Sequence, residues 1–399
     1  MENKIYELCR RLSGKNISIE DELIESRILD SFRIIELMSE LENLYQIEFT
    51  QEEITQLENF STVKKITRTV MEKMKMIQSK YLITGATGYI GSMLAGHLMQ
   101  QNKYVAAIVR DVDKARRMLP ELSEIISADL TDREAMENIS GDYDYIIHCA
   151  SMTKSEDMIN RPLEVTESIV DATRNVCELA LRSHVKSMVY LSSMEVYGRI
   201  EMPENRKCTE EDAPFGVVDI HSARSCYPLA KRMAENICCC YCREYGLPVK
   251  IARPAQTFGK GVLSSESRIF AQLARCAVEN RDIVLHTEGN SMGNYCDIED
   301  SVEGILTVLL KGGAGEAYNI VNESCTMRIR QMAELVCKLA GGKISVKTDI
   351  PESNIYGYAE DTELRLSSEK LRKLGWIPRG GMEDMYRDMI DEMRQQERI

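Results

Sequence analysis

Residues 81–94 read YLITGATGYIGSML, an apolar run that leads into three spaced glycines and a second apolar run. Gly85, Gly88 and Gly91 follow the first run directly, a pattern that predicts a strand turning tightly into a helix. Glycine suits such a turn because the backbone must approach a pyrophosphate, which then lies at the positive end of the helix. The stretch therefore predicts a dinucleotide-binding turn.

The chain from Tyr81 onward alternates between apolar runs and helical patterns. The apolar runs are YLIT, VAAIVR, SEIISADL, YDYIIHCA, KSMVYLSS and LPVKIARP. Strands that alternate with helices are typical of a parallel sheet covered on both faces. We therefore predict the α/β class, with an NAD(P)-binding Rossmann doubly wound parallel sheet.

The first 75 residues carry a different pattern. Apolar residues recur at spacings of three and four over residues 23–45, which indicates amphipathic helices, and Asp30 and Ser31 offer an N-cap for one of them. We predict an all-α helical bundle over residues 1–75, followed by a linker at residues 76–80. The chain thus divides into two domains of very different length.

Composition narrows the classes of partner. The 399 residues are 44% hydrophobic and 28% charged, as in ordinary globular proteins, and the 63 acidic against 50 basic side chains argue against a nucleic-acid partner. The polar start and the lack of a long apolar run predict a cytoplasmic protein with no membrane segment. The 13 cysteines, an odd number, indicate reduced thiols, and no finger-like spacing accompanies them, so no metal site is predicted.

A possible catalytic set follows the fifth apolar run. Ser193 ends that run, and Tyr227 and Lys231 come later, four residues apart, so they share one face of a helix. An ammonium beside the phenol is expected to lower the pKa of Tyr227 towards neutrality, while the Ser193 hydroxyl holds a substrate carbonyl or alcohol. Such a set moves a proton while a nicotinamide moves a hydride.

The end of the second apolar run bears on the choice of cofactor. The position that is acidic in NAD enzymes holds Val109, whereas Arg110 follows it and Lys114 comes a turn later. Two cations suit a 2′-phosphate, so we predict NADP; NAD remains open because Asp111 offers a carboxylate.

Residues 81–399 resemble the extended short-chain dehydrogenases/reductases, the NAD-dependent epimerase/dehydratase family that acts on nucleotide sugars. The motifs that carry the resemblance are TGATGYIG at 84–91, DYIIHCAS at 144–151, SSMEVYG at 192–198, YPLAK at 227–231, ARP at 252–254, YCDIED at 295–300 and LGWIP at 374–378. With it we expect a Rossmann core over about residues 81–258 and 295–322 and a small C-terminal substrate lobe over about residues 259–294 and 323–399. It also suggests a homodimer.

The same resemblance implies the site residues. The cofactor is expected to contact Gly85, Thr87, Gly88, Tyr89, Ile90, Gly91, Arg110, Asp129, Leu130, Cys149, Ala150, Ser151, Tyr227, Lys231 and Pro254. Catalysis is expected from Ser193, Glu195, Tyr227 and Lys231.

Two departures from the family pattern concern the substrate. Dehydrating members commonly have Asp-Glu where this chain has Met194-Glu195, so the resemblance keeps Glu195 as a base beside an oxidised carbon but leaves the usual acid absent. The alternative is that Glu195 only bonds a neighbouring loop. The position that often carries an arginine for the diphosphate holds Gly293, and Arg365 or Arg328 is predicted to bind substrate instead; the alternative places both on the solvated surface.

The N-terminal segment around Leu29-Asp30-Ser31-Phe32 resembles an acyl or peptidyl carrier protein. The resemblance implies 4′-phosphopantetheine on Ser31, added by a phosphopantetheinyl transferase and loaded by an acyl-loading enzyme. Six acids against one base between Ser31 and Glu53 give the acidic helix that carriers present to basic partners. The alternative is a plain N-cap on a solvated helix.

Three functions remain open from the sequence. The first is a nucleotide-sugar epimerase, dehydratase or decarboxylase fused to a carrier. The second is a reductase whose acyl or keto substrate is tethered to its own carrier. The third is a non-catalytic protein that binds a cofactor, which the presence of Ser193, Tyr227 and Lys231 argues against.

Overall fold

The computed structural model describes residues 1–45, 47, 49, 57–77, 79–203, 205–262, 266–351 and 361–396. The chain divides into two compact units, Met1–Ser79 and Lys80–Ile399. The division falls inside the range predicted as a linker.

The first unit consists of helices and turns in its described part. Its helices are α1 (Glu2–Ser13), α2 (Ser31–Tyr45) and α3 (Val63–Ile77), with a short 3-10 turn at Leu57–Phe60. Their apolar faces form one core, to which Ile5, Leu37, Leu41, Phe60, Ile66 and Val70 contribute fully buried side chains.

The start of α2 is capped by one side chain. Asp30 Oδ1 accepts a 2.8 Å hydrogen bond from the backbone N–H of Arg33. Asp30 is therefore the N-cap, and Ser31 is the first helical residue, with its side chain exposed. The predicted cap is corrected from the Asp30-Ser31 pair to Asp30 alone.

A seven-stranded parallel sheet organises the second unit. Its strands are β1 (Lys80–Thr84), β2 (Tyr104–Val109), β3 (Glu124–Ser127), β4 (Tyr145–His148), β5 (Ser187–Leu191), β6 (Val249–Pro254) and β11 (Ala317–Ile320), in the order β11-β6-β5-β4-β1-β2-β3. The chain runs outward from β1 in both directions, which creates a switch point between β1 and β4 where ligands bind in such sheets. The predicted Rossmann-type sheet is confirmed, with β11 as a seventh strand that the sequence pattern did not reveal.

The described helices of the second unit belong either to the faces of this sheet or to a smaller lobe. They are α4 (Tyr89–Gln100), α5 (Val112–Met118), α6 (Arg133–Glu137), α7 (Ser155–Asn160), α8 (Pro162–Arg182), α9 (Cys226–Tyr245), α10 (Ile269–Val278), α11 (Ile298–Lys311), α12 (Ile329–Leu339), α13 (Glu369–Arg372) and α14 (Met382–Gln396). Side chains from α4, α5 and α11 share one core with the sheet, and side chains from α8 and α9 share the other. Burial on both faces explains why the strands read as continuous apolar runs.

A smaller lobe packs around a third core. It is built from α10, α12 and α14, and three two-stranded sheets accompany it: β7 (Gln256–Phe258) with β10 (Tyr295–Asp297), β8 (Ile283–Leu285) with β13 (Val346–Thr348), and β9 (Met292–Gly293) with β12 (Met327–Arg328). No helix in the described ranges is long and apolar enough to cross a membrane.

The clustered cysteines lie on one helix. Cys238, Cys239, Cys240 and Cys242 all belong to α9, and Cys238 is fully buried against the sheet. They act as small side chains in helix packing.

Candidate active site

A cleft of about 760 Å³ opens at the carboxyl ends of the central strands. Every residue predicted for the cofactor lines it, from Gly85 in the first turn to Pro254 at the end of β6. Ser193, Glu195, Tyr227 and Lys231 line the same cleft. The structure thus brings the glycine turn at residues 85–91 into one cleft with catalytic candidates that follow it by more than 100 positions in the chain.

The glycine turn needs its glycines for close packing of backbone. Gly85 has a φ of +72°, and a Cβ atom there would lie 2.7 Å from the backbone nitrogen of Ala150. A Cβ on Gly91 would lie 2.2 Å from the carbonyl oxygen of Gly85. The turn leads directly into α4, whose first residue is Tyr89, so the free N–H groups of the helix start point into the cleft.

Buried polar atoms also fit a bound dinucleotide. Within the described part of the chain, the buried hydroxyl groups of Ser151 and Ser192 line the cleft without a hydrogen-bond partner from the protein. Buried hydroxyls normally have partners, so these two sites suit a ligand with many oxygens. The residues present therefore fit a nicotinamide dinucleotide.

The far end of the cleft carries two cations. Arg110 and Lys114 line it together with Asp129, whose Oδ1 accepts hydrogen bonds from the backbone N–H and the hydroxyl of Thr131 at 2.9 and 2.8 Å. Asp111 is used differently, because its Oδ1 accepts a 2.8 Å hydrogen bond from the N–H of Lys114 and caps α5. Asp111 is outside the cleft lining among the described residues.

The catalytic candidates follow the end of β5 or lie on α9. Ser193 follows β5 and accepts a 3.1 Å hydrogen bond from the N–H of Glu195 through its Oγ, which starts a 3-10 turn at Met194–Tyr197. Tyr227 and Lys231 lie one turn apart on α9, and both are buried. Lys231 Nζ is 5.8 Å from the centre of the Tyr227 ring.

The predicted lowering of the Tyr227 pKa is wrong for this structure. Burial raises the pKa of Tyr227, the charge of Glu195 raises it further, and a hydrogen bond with Ser193 opposes the rise. Burial also lowers the pKa of Lys231 to about 8. Spacing in sequence identified the pair, but removal from water is the largest influence on the pKa of each group.

Two arginines that the sequence did not single out line the cleft. Arg224 Nη2 lies 3.1 Å from Glu195 Oε1 and 3.4 Å from Oε2. Arg268 lines the cleft as well, and its Nη2 lies 2.6 Å from Glu266 Oε2. Arg224 comes three residues before Tyr227, a helical spacing that was available as a signal; Arg268 offers no such signal.

The predicted substrate arginines lie elsewhere. Neither Arg328 nor Arg365 is in the cleft lining within the described ranges. Arg328 binds the Glu363 carboxylate and a backbone carbonyl at Asn290, and Arg365 Nε contacts the sulfur of Met292 at 3.4 Å. The arginines in the described cleft lining are Arg110, Arg224 and Arg268, so the cleft lends no support to Arg328 or Arg365 as substrate ligands, and that role stays a prediction.

Comparison with known proteins defines the class. Residues 81–321 match the NAD dependent epimerase/dehydratase family, and the chain belongs to that family. The prediction of an NAD(P)-dependent extended short-chain dehydrogenase/reductase is thereby confirmed.

Individual relatives are more distant. A trifunctional UDP-glucose 4,6-dehydratase/UDP-4-keto-6-deoxy-D-glucose 3,5-epimerase/UDP-4-keto-L-rhamnose-reductase of Arabidopsis thaliana is 26% identical over 326 residues, 78% of this chain and 46% of that protein. A UDP-N-acetyl-alpha-D-glucosaminuronate decarboxylase of Bacillus cytotoxicus is 24% identical over 75% of this chain and 92% of its own. The crystal structure of UDP-glucose 4-epimerase from Thermotoga maritima with UDP-glucose has a TM-score of 0.70 at 20% identity, over 79% of this chain and 99% of that one. The chain spans less than half of the first relative, and these comparisons leave the carrier interpretation of residues 1–75 as a prediction.

Proposed function

We propose that residues 81–399 convert a nucleotide sugar by oxidising one of its hydroxyl groups transiently, which permits dehydration, epimerisation or decarboxylation at a neighbouring carbon. The observation that carries this proposal is the single cleft shared by the glycine turn and by Ser193, Glu195, Tyr227 and Lys231. The named relatives act on such substrates, which supports the same class here.

Ser193 and Tyr227 have the roles of holding and deprotonating the sugar hydroxyl. The Ser193 hydroxyl donates to the sugar oxygen, and Tyr227 removes its proton as the carbon is oxidised. A nicotinamide dinucleotide held by the glycine turn would supply hydride transfer from and back to the sugar carbon. Lys231, whose Nζ lies 5.8 Å from the centre of the Tyr227 ring, supplies a positive charge that favours the Tyr227 phenolate.

Glu195 has the role of base at the neighbouring carbon. A ketone acidifies the adjacent C–H group, so a carboxylate two residues after Ser193 takes that proton while the electron pair moves onto the ketone oxygen. Met194 occupies the position of the usual acid, so Glu195 itself returns the proton to a leaving hydroxyl or to carbon.

For the cofactor we propose NADP. Arg110 and Lys114 line the cleft, and Asp111 is already used as the cap of α5. Arg110 and Lys114 would therefore hold a 2′-phosphate at this end of the cleft.

A panel of nucleotide sugars tests the proposal. The full chain is incubated with NADP and with UDP-, dTDP-, GDP- and CDP-linked glucose and with UDP-glucuronate, and sugar consumption is followed by chromatography. We expect at least one to be consumed, and Tyr227→Phe to lose that activity while still binding NADPH. Failure of the whole panel, or full activity in Tyr227→Phe, would contradict the proposal.

For the first unit we propose a carrier whose Ser31 holds 4′-phosphopantetheine. Ser31 is exposed at the start of α2, with Asp30 as the cap and with Phe32 and Ile35 exposed beside it. A helix start favours an attached phosphate, which supports Ser31 as the attachment point. The partners are then a phosphopantetheinyl transferase and an acyl-loading enzyme.

Intact mass after incubation with coenzyme A and a phosphopantetheinyl transferase tests the carrier. A gain of one phosphopantetheine in the unmodified chain and none in Ser31→Ala is expected. If nucleotide sugars fail but NADPH oxidation depends on a loaded arm, the tethered-substrate alternative takes the place of the first proposal. Binding of NADPH without turnover under either condition would favour the non-catalytic alternative.

A further inference from the structure

The pair formed by Arg224 and Glu195 lies where the substrate meets the catalytic residues. We propose, on the basis of the proposed function, that Arg224 is a specificity-determining residue that binds a carboxylate on the sugar. Until such a sugar binds, Arg224 is paired with the carboxylate of Glu195. The ligand class is a nucleotide-linked uronic acid.

Hydrogen bonds of the backbone and of a neighbouring residue, rather than contacts of its side chain, hold Arg224 in position. Its carbonyl oxygen accepts a 3.2 Å hydrogen bond from the N–H of Tyr227, and the adjacent Ser225 hydroxyl donates to the carbonyl of Ile220 at 3.0 Å. The Arg224 side chain, by contrast, is 43% exposed and that of Glu195 is 41% exposed. A ligand can therefore reach the pair while the start of α9 stays in place.

The guanidinium has capacity for a second carboxylate. Both hydrogen bonds to Glu195 use Nη2 of Arg224, whereas a guanidinium carries five N–H donors in a planar fork. That fork matches a carboxylate better than any other side chain does. An ion pair this exposed is weak in water, so exchange of one carboxylate for another costs little.

Arg268, another arginine in the cleft lining, is constrained, and Gly293 brings no cation. Arg268 is held by Glu266, which also accepts its backbone N–H at 3.0 Å, and its guanidinium lies 4.8 Å from the centre of the Phe270 ring. Gly293 lacks a side chain, and a Cβ atom there would lie 2.2 Å from the hydroxyl oxygen of Tyr295. Of these two arginines, Arg224 is therefore the one that lies beside Glu195 to meet the sugar.

The pairing also makes the base selective. When a neutral sugar binds, Arg224 stays with Glu195, and the ion pair strengthens as water leaves the cleft, so the Glu195 carboxylate stays turned to Arg224 instead of to the reacting carbon. When a uronic acid binds, its carboxylate attracts Arg224, and Glu195 is released to face the reacting carbon. Recognition of the substrate thus activates the base.

The test compares two sugars that differ only at the carboxylate, UDP-glucuronate and UDP-glucose. Their consumption by the full chain with NADP is measured for the unmodified enzyme, Arg224→Gln and Arg224→Lys. For UDP-glucuronate we expect KM to rise at least tenfold in Arg224→Gln with kcat changed less than threefold, and to rise less in Arg224→Lys. For UDP-glucose we expect an unchanged or lower KM and an unchanged or higher kcat.

Arg174→Gln is the matched control, because Arg174 lies on α8 with Nη1 3.9 Å from Asp171 Oδ1 and outside the cleft lining of the described residues. It should leave both sugars unaffected. Equal changes for both sugars in Arg224→Gln, or no preference of the unmodified enzyme for UDP-glucuronate, would overturn the inference. If other nucleotide sugars are consumed but neither of these two is, the inference fails and the proposed function stands; if the whole panel fails, both fall.

Discussion

Lys231 Nζ donates a 2.7 Å hydrogen bond to the carbonyl oxygen of Leu191, the last residue of β5. This bond ties α9 to the end of the strand two residues before Ser193. The same ammonium lies 4.9 Å from the centre of the Tyr190 ring, so its charge is held among buried groups. One contact therefore sets the distance between the two elements that carry the catalytic candidates.

Turnover should fall as pH rises through about 8. Burial lowers the pKa of Lys231 to about 8, so the ammonium becomes neutral there, while the raised pKa of Tyr227 keeps the phenol from ionising in the same range without help. We expect the rate to decrease about tenfold per pH unit above that point. The measurement is kcat between pH 6 and 10 on any sugar that the panel identifies.

Lys231→Arg is the control for this decrease of the rate at high pH. Arginine stays charged throughout the range, so the variant should be slower but flat between pH 7 and 10. An unmodified enzyme whose rate stays constant up to pH 10 would show that Lys231 is not the group responsible.

Gly91→Ala should damage the glycine turn. The new Cβ would lie 2.2 Å from the carbonyl oxygen of Gly85 and 2.8 Å from its carbonyl carbon, so the backbone must move. We expect a loss of about 1–3 kcal/mol in the free energy of unfolding and at least tenfold weaker NADPH binding, measured by denaturation and by fluorescence titration.

Gly96→Ala on the same helix is the matched control. A Cβ at Gly96 meets no atom within 4 Å, and alanine is the better helix former. The free energy of unfolding should rise by roughly 0.5–1 kcal/mol with NADPH affinity unchanged. Similar losses in both variants would indicate a general intolerance of α4 to substitution rather than a requirement of the turn.

Local patterns predicted the frame of the site well. The glycines, Ser193, Tyr227 and Lys231 stand at strand ends or one helical turn apart, and a parallel sheet brings its strand ends to one edge. The sheet itself follows from alternation of strands and helices. These features depend on few residues close together in sequence, so a single sequence suffices to find them.

Side-chain pairing across loops was not predictable in the same way. Arg224 meets Glu195 across 29 positions, and the direction of the Tyr227 pKa depends on how deeply α9 packs against the sheet. No local pattern shows that Arg328 bonds to Glu363 and Arg365 contacts Met292, rather than that either side chain lines the described cleft. Burial and contacts between residues far apart in the sequence decide which side chains pair and in which direction a pKa shifts.

Arg110→Gln should shift the cofactor preference. Arg110 lines the cleft beside Lys114, and loss of its charge removes one of the two cations proposed for the 2′-phosphate. We expect NADPH affinity to fall at least tenfold with NADH affinity changed less than twofold, measured by fluorescence titration.

Arg116→Gln tests whether the loss of any nearby positive charge is enough to weaken NADPH binding. Arg116 lies on α5, exposed, with Nη1 4.0 Å from Asp113 Oδ1. Its variant should bind both cofactors as the unmodified chain does. A stronger affinity of the unmodified enzyme for NADH than for NADPH would contradict the assignment of Arg110.

Arg232→Met should loosen the turn that presents Glu195. Arg232 Nε donates to the carbonyl of Val196 at 2.6 Å, and its Nη2 donates to the carbonyls of Gly216 and Ala213 at 2.8 and 3.2 Å. Three half-buried carbonyls lose a charged donor, so we expect the free energy of unfolding to fall by about 2–4 kcal/mol.

The position of Arg232 next to Lys231 gives this loss a catalytic consequence. Because α9 carries Lys231 and Arg232 together, the Arg232 bonds hold the Glu195 turn in register with the catalytic lysine. We expect kcat to fall by at least tenfold while NADPH affinity stays within twofold, since the glycine turn is untouched.

Arg243→Met, which removes an exposed arginine bonded to the Cys239 carbonyl at 3.3 Å on the same helix, should change neither quantity. Equal effects of the two variants would mean that α9 tolerates no loss of arginine, and a normal kcat in Arg232→Met would mean that the turn keeps its place without this contact.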